Sequence, residues 1–212
     1  MVSHVPLWRV KKGFKSLRVP KLMKSVWANE NLIKVLKDGD VVVMPTDTIY
    51  GIVGLAQNEP TVNRIYKIRK RSPTKPCVIL IGDIDELQKF SINLSKEQKN
   101  TLARTILASG EPVSFVLDCI DEKFTYLHRG TKTLAFRLPA QKDLQRLLKQ
   151  TGPLLAPSAN IEGLPPAQNI SEARKYFGDL VDLYMDGGTV SSRKASKVIK
   201  LHKDSSVDIL RH

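Results

Sequence analysis

From Val26 onward the chain alternates short, continuous apolar runs with stretches whose apolar positions recur every three or four residues. The first pattern marks strands buried on both faces, the second amphipathic helices. Trp27 to Lys37 reads as a helix with Val26, Leu32, Ile33 and Leu36 on one side, stopped by Lys-Asp-Gly-Asp at 37–40. VVVM (41–44) and GIVGLA (51–56) follow as buried strands, with Gly51 and Gly54 permitting close backbone approach. Asn58-Glu59-Pro60 opens a helix through Arg69 that turns Val62, Ile65, Tyr66 and Ile68 to the core.

The alternation continues. CVILI (77–81), PVSFVLD (112–118), LAFRLP (134–139), LLAPS (154–158), VDLYMD (181–186) and segments near 197–201 and 207–210 read as strands. Helices are predicted over 83–90, 95–109, 143–150 and 171–177. This order predicts one α/β domain over residues 26–212, with a twisted mixed open sheet and flanking helices. Small ligands in such sheets sit in crevices at strand ends, which is where the polar motifs of this chain fall.

Composition changes the picture mainly through charge. The 212 residues carry 34 Lys+Arg against 21 Asp+Glu, a formal charge of +13, which favours polyanionic partners such as nucleotides, RNA or acidic lipid surfaces. Residues 1–25 form a basic arm with no acid, two prolines and no apolar core of a secretory signal; it reads as an RNA-touching arm or a targeting leader. No run approaches the roughly 20 apolar residues needed to span a bilayer, so a cytoplasmic location without membrane contact is expected. Cys77 and Cys119 sit in apolar contexts outside any metal-ligand spacing and read as buried thiols of a reducing compartment.

Three polar segments carry candidate chemistry. RIYKIRKRSPTK (64–75) places six cations in twelve residues with no acid, an anchor for polyphosphate or a solvated, RNA-touching face. PTDT (45–48) presents Thr46 and Thr48 directly after a buried strand, with Asp47 available as a turn residue. PSAN (157–160) does the same with Ser158 and Asn160, which read equally as a turn or cap. Arg137, inside an apolar strand, needs an anion from the protein or from a ligand. DGGTVSSRKASK (186–197) is a Gly/Ser-rich loop without Walker spacing, and no nucleophile elbow or zinc motif occurs.

PTDTIYG, KIRKRSPTKP, GEPVSFVL, LAFRLP, APSAN and the DGG…S loop, in this order, resemble the YrdC family of threonylcarbamoyl-AMP synthases over about residues 28–202. The resemblance implies a deep basic cavity and a reaction joining L-threonine, bicarbonate and ATP, with Mg2+ held chiefly by the phosphates and water. It implies ATP contacts from Arg69, Arg71, Lys75, Thr133, Ser158 and Asn160, and threonine contacts from Thr48, Arg137 and Ser196. The expected partners are tRNA, or double-stranded RNA, and the machinery that transfers threonylcarbamoyl to tRNA. Three positions depart from the family pattern: Arg69 for the usual Lys, Leu80 for a threonine-side His, and Lys197 for Thr. The Lys197 departure leaves carbamoyl transfer to another acceptor open, and the charge and basic arm leave open a non-catalytic RNA-binding module built on the same cavity.

Overall fold

The computed structural model describes residues 26–190 and 195–211. The basic arm at 1–25 and part of the Gly/Ser-rich loop lie outside the described residues. Nine strands form one sheet: β1 (Val42–Pro45), β2 (Tyr50–Leu55), β3 (Val78–Leu80), β4 (Val113–Asp118), β5 (Thr133–Arg137), β6 (Leu154–Leu155), β7 (Leu183–Tyr184), β8 (Lys197–Leu201) and β9 (Val207–Arg211). Their spatial order is β7-β1-β2-β6-β3-β5-β4-β8-β9. Pairing is mixed: β1–β7, β3–β5 and β4–β8 are parallel and the remaining neighbours antiparallel.

Among the described residues six α-helices flank the sheet: α1 (Glu30–Lys37), α2 (Glu59–Ile68), α3 (Lys96–Ser109), α4 (Thr125–His128), α5 (Lys142–Thr151) and α6 (Ile170–Phe177). The first run shows why strands buried on both faces need continuous apolar sequence. Val42 and Met44 pack with Leu32 and Leu36 of α1 and Leu144, Leu147 and Leu148 of α5. Val41 and Val43 point the other way, into a core shared with Val62 and Ile65 of α2. Gly54 is required by that second contact, since a Cβ there would stand 2.4 Å from Thr61 Cγ2.

Several boundaries differ from the sequence reading for identifiable reasons. The first helix begins at Glu30, because the Asn29 side chain caps it by accepting from the Leu32 amide. Residues 84–90 wind as a 3-10 helix rather than an α-helix. A 3-10 turn at Glu122–Phe124 leading into α4 was not anticipated; seven residues are too few to show a helical period. LLAPS pairs as a strand only at Leu154–Leu155, then touches β2 through a single Gly51–Ser158 bridge. VDLYMD contracts to Leu183–Tyr184, its flanks spent on Arg64 and on the β1 backbone. Among the described residues no helix is long and apolar enough to cross a membrane.

Candidate functional site

The turn between β1 and β2 is built from PTDT. Trp27 Nε1 donates to Pro45 O at 2.9 Å and fixes where the turn begins. Thr46 Oγ1 donates to Ile49 O at 2.7 Å. Its single proton being used, the 3.1 Å contact between the Thr46 and Thr48 hydroxyls requires Thr48 to be the donor. The start of β2 is held from the other side by the Tyr50 hydroxyl, which accepts from the Gly187 amide and donates to Gly188 O. Burial raises the Tyr50 phenol above its usual pKa, so it stays a neutral donor.

Arg137 closes this cluster. From the end of β5 its guanidinium reaches Asp47 Oδ1 through Nε at 3.1 Å and Nη2 at 2.9 Å, and Nη2 also donates to Thr48 Oγ1 at 3.2 Å. Nη1 makes a long 3.5 Å contact with Ser196 Oγ, which in turn pairs with Ser114 Oγ at 2.7 Å. The Arg137 and Asp47 side chains are only 7% and 2% exposed. Strands β2 and β5 are separated in the sheet by β6 and β3, a span of roughly 14 Å at the usual strand spacing, which the long Arg137 side chain and the PTDT turn bridge together.

The second cluster forms where α2 ends. Arg69 caps the helix and is itself 2% exposed. Its Nε donates to Asn160 O at 3.1 Å, and Nη2 donates to Asn160 Oδ1 at 3.2 Å and Ser158 Oγ at 3.3 Å. Its Nη1 is buried without a hydrogen-bond partner. Burial lowers the Arg69 pKa, and neighbouring Arg71 adds to the effect. The planar guanidinium of Arg69 addresses three acceptors of one segment from two nitrogens in fixed directions, whereas a lysine ammonium would present all its donors from a single point. Asn160 Nδ2 donates to Ile161 O and Leu164 O, so the whole S-x-N segment is rigid.

Arg71 and Lys75 lie on the adjoining Ser-Pro turn. Arg71 donates to Lys75 O and Pro76 O at 3.0 and 2.9 Å, which folds the turn around its guanidinium. Lys75 Nζ pairs with Glu162 Oε1 at 2.8 Å, and Glu162 also accepts from the Ser72 amide. The Lys75 contact, followed by that amide, holds the Glu162 carboxyl below its usual range. Thr133 begins β5, with its hydroxyl 3.1 Å from that of Thr131. The parallel β3–β5 register sets Val78 beside Ala135 and thereby brings Thr133 to the same sheet end as Pro76.

The cationic segment is therefore not one patch. Arg64 faces away from the cluster and pairs with Asp182 at 2.6 Å, whereas Lys67 and Lys70 are exposed. The two clusters meet at Gly51: a Cβ there would stand 3.1 Å from Thr46 Cγ2 and 3.4 Å from Pro157 O. Glycine lets the PTDT turn and the S-x-N segment approach. A separate groove of about 480 Å3 between α3 and the β8–β9 turn, lined by Glu97, Arg104, Lys203 and Asp204 among others, involves none of these residues. Sequence reasoning missed Ser114 and Glu162. The lone hydroxyl within VSFVL was a usable signal for Ser114; nothing local marked Glu162.

Comparison with known proteins places the chain in a family. The threonylcarbamoyl-AMP synthase of Pyrococcus abyssi is 28% identical over 78% of this chain and 48% of its own length. That of Idiomarina loihiensis is 26% identical over 84% of this chain and 94% of its own length. The crystal structure of P. abyssi Sua5 complexed with L-threonine superposes with a TM-score of 0.69 at 26% identity, covering 84% of this chain and 51% of that one. The chain thus spans about half of the archaeal protein and nearly all of the bacterial one. Residues 34–212 match the Sua5/YciO/YrdC family, described as Telomere recombination, and the chain belongs to that family.

Proposed function

We propose that this chain is a threonylcarbamoyl-AMP synthase, a nucleotidyltransferase that joins L-threonine, bicarbonate and ATP and releases pyrophosphate. The observation that carries the reading is the abutment of two unlike guanidinium clusters across Gly51 and Ser158. One holds Arg137 beside a carboxylate and three hydroxyls, an environment suited to an amino acid. The other holds Arg69 and Arg71 on neutral oxygens, leaving their charge for a polyphosphate.

In this arrangement threonine's carboxylate is received on the Nη1 side of Arg137, with Thr48 and Ser196 flanking it. The triphosphate lies along Arg69, Arg71 and Lys75, with Ser158, Asn160 and Thr133 on the nucleotide side. The threonine amine adds to the bicarbonate carbon and water leaves, giving a carbamate whose oxygen attacks the α-phosphorus as the bond to pyrophosphate breaks. The protein supplies position and charge rather than a covalent nucleophile. Magnesium fits as a companion of the triphosphate, where it would offset charge on the phosphate oxygens. The two acids beside the site are taken up by Arg137 and Lys75, and among the described residues no group of three metal-ligating side chains occurs. The product would pass to tRNA through a threonylcarbamoyl-transfer machinery.

The test is pyrophosphate release from ATP with each co-substrate omitted in turn. Release that needs both threonine and bicarbonate supports the reading. Release indifferent to threonine, or tight RNA binding with no nucleotide affinity, would overturn it.

A further inference from the structure

Buried guanidiniums attract any anion, and this molecule holds two within one site. A triphosphate carries far more charge than an amino-acid carboxylate, so Coulomb attraction alone would draw it to whichever cluster is the more positive. Among the described residues the cluster at Arg137 contains Thr46, Asp47, Thr48, Ser114, Arg137 and Ser196, all buried, and of these Arg137 and Asp47 carry the formal charges, which are opposite. Asp47 supplies the cancelling charge. Its Oδ1 occupies the Nε–Nη2 edge of the guanidinium, which is also the edge best shaped for a forked anion. What remains is Nη1, a narrower donor beside two hydroxyls.

We propose that Asp47 is a specificity-determining residue: by neutralising Arg137 and covering its forked edge, it excludes phosphate from the amino-acid half and reserves that half for a single carboxylate. The inference rests on the reading of this cluster as the threonine half. It gives the second residue of PTDT a role beyond the turn, and it explains why two arginines separated by so little structure can hold different ligands. A purely structural Asp47 would stabilise the turn and leave ligand discrimination alone.

The experiment is calorimetric titration of threonine with and without saturating inorganic tripolyphosphate, a nucleotide-free probe of the phosphate half. It uses the full chain as wild type, Asp47→Asn and Asp47→Glu, with circular dichroism to establish folding. In wild type and Asp47→Glu the threonine Kd should stay within about twofold when tripolyphosphate is present. In Asp47→Asn tripolyphosphate should raise it by about tenfold or more, because the uncompensated guanidinium now binds phosphate. Mutual exclusion already in wild type overturns the inference, as does independent binding in folded Asp47→Asn. Should the Asn variant not fold, exclusion in wild type or Asp47→Glu still overturns it, and independence in both supports it. Failure of wild type to bind threonine at all sinks the proposed function instead, so the two failures are distinguishable.

Discussion

Arg137 and Arg69 are 5% and 2% exposed, yet the fold satisfies them in opposite ways. The Arg137 guanidinium is paired with the Asp47 carboxylate, whereas every hydrogen-bond partner of the Arg69 guanidinium is a neutral oxygen and one of its nitrogens has none. A buried pair is electrically quiet and holds its shape without a ligand. An uncompensated buried cation is kept only by surrounding dipoles, and an incoming anion relieves its desolvation. Under the function proposed above, this contrast is what separates the half assigned to a polyanion from the half assigned to an amino acid.

The comparison breaks most visibly at Arg137. Arg137→Met removes the guanidinium that pairs with the buried Asp47 carboxylate, so thermal or denaturant unfolding should show a loss of about 3–5 kcal/mol together with loss of threonine binding. Arg71→Ala should act on the other half alone. Calorimetry should show ATP binding weakened by about 1.5–3 kcal/mol with the threonine Kd unchanged, since the proposed role of the lost group is a charged phosphate contact. Arg69→Lys sharpens the contrast further. It keeps the charge and removes the fork on Ser158 and Asn160, so stability should fall by about 1–2 kcal/mol, less than at Arg137, because only neutral acceptors are stranded.

The smallest expected effect is at Glu162. Its carboxyl lies below the ordinary value of 4.5 when folded, owing to Lys75 and then the Ser72 amide. The stability it contributes is therefore present above that ordinary value and is lost as pH falls through the depressed one. Melting curves of wild type and Glu162→Gln should differ slightly near neutral pH and converge in acid.

The strands were legible because VVVM, GIVGLA and CVILI are apolar on both faces, and few alternatives bury such runs. The helix bounded by Asn58, Glu59 and Pro60 was legible for the same local reason, a cap followed by a period. Arg137 announced its need for an anion, but the partner is 90 residues away and sequence offers no means of choosing Asp47 from the other acids. Asn160 was read as facing a ligand; its side chain also ties down the segment through Ile161 O and Leu164 O, a second job that only the backbone path reveals. Arg64 shows the converse limit. It belongs to the cationic run by sequence, yet the helix turns it toward Asp182 and out of the cluster.

A crystal structure of the chain with L-threonine and a non-hydrolysable ATP analogue tests the central claim most directly. The account predicts the amino-acid carboxylate on the Nη1 side of Arg137 and the phosphates against Arg69 and Arg71, with the α-phosphate beside Ser158 and facing the threonine amine. Phosphates seated on Arg137, or the two ligands in separate hollows with Gly51 between neither, would contradict it.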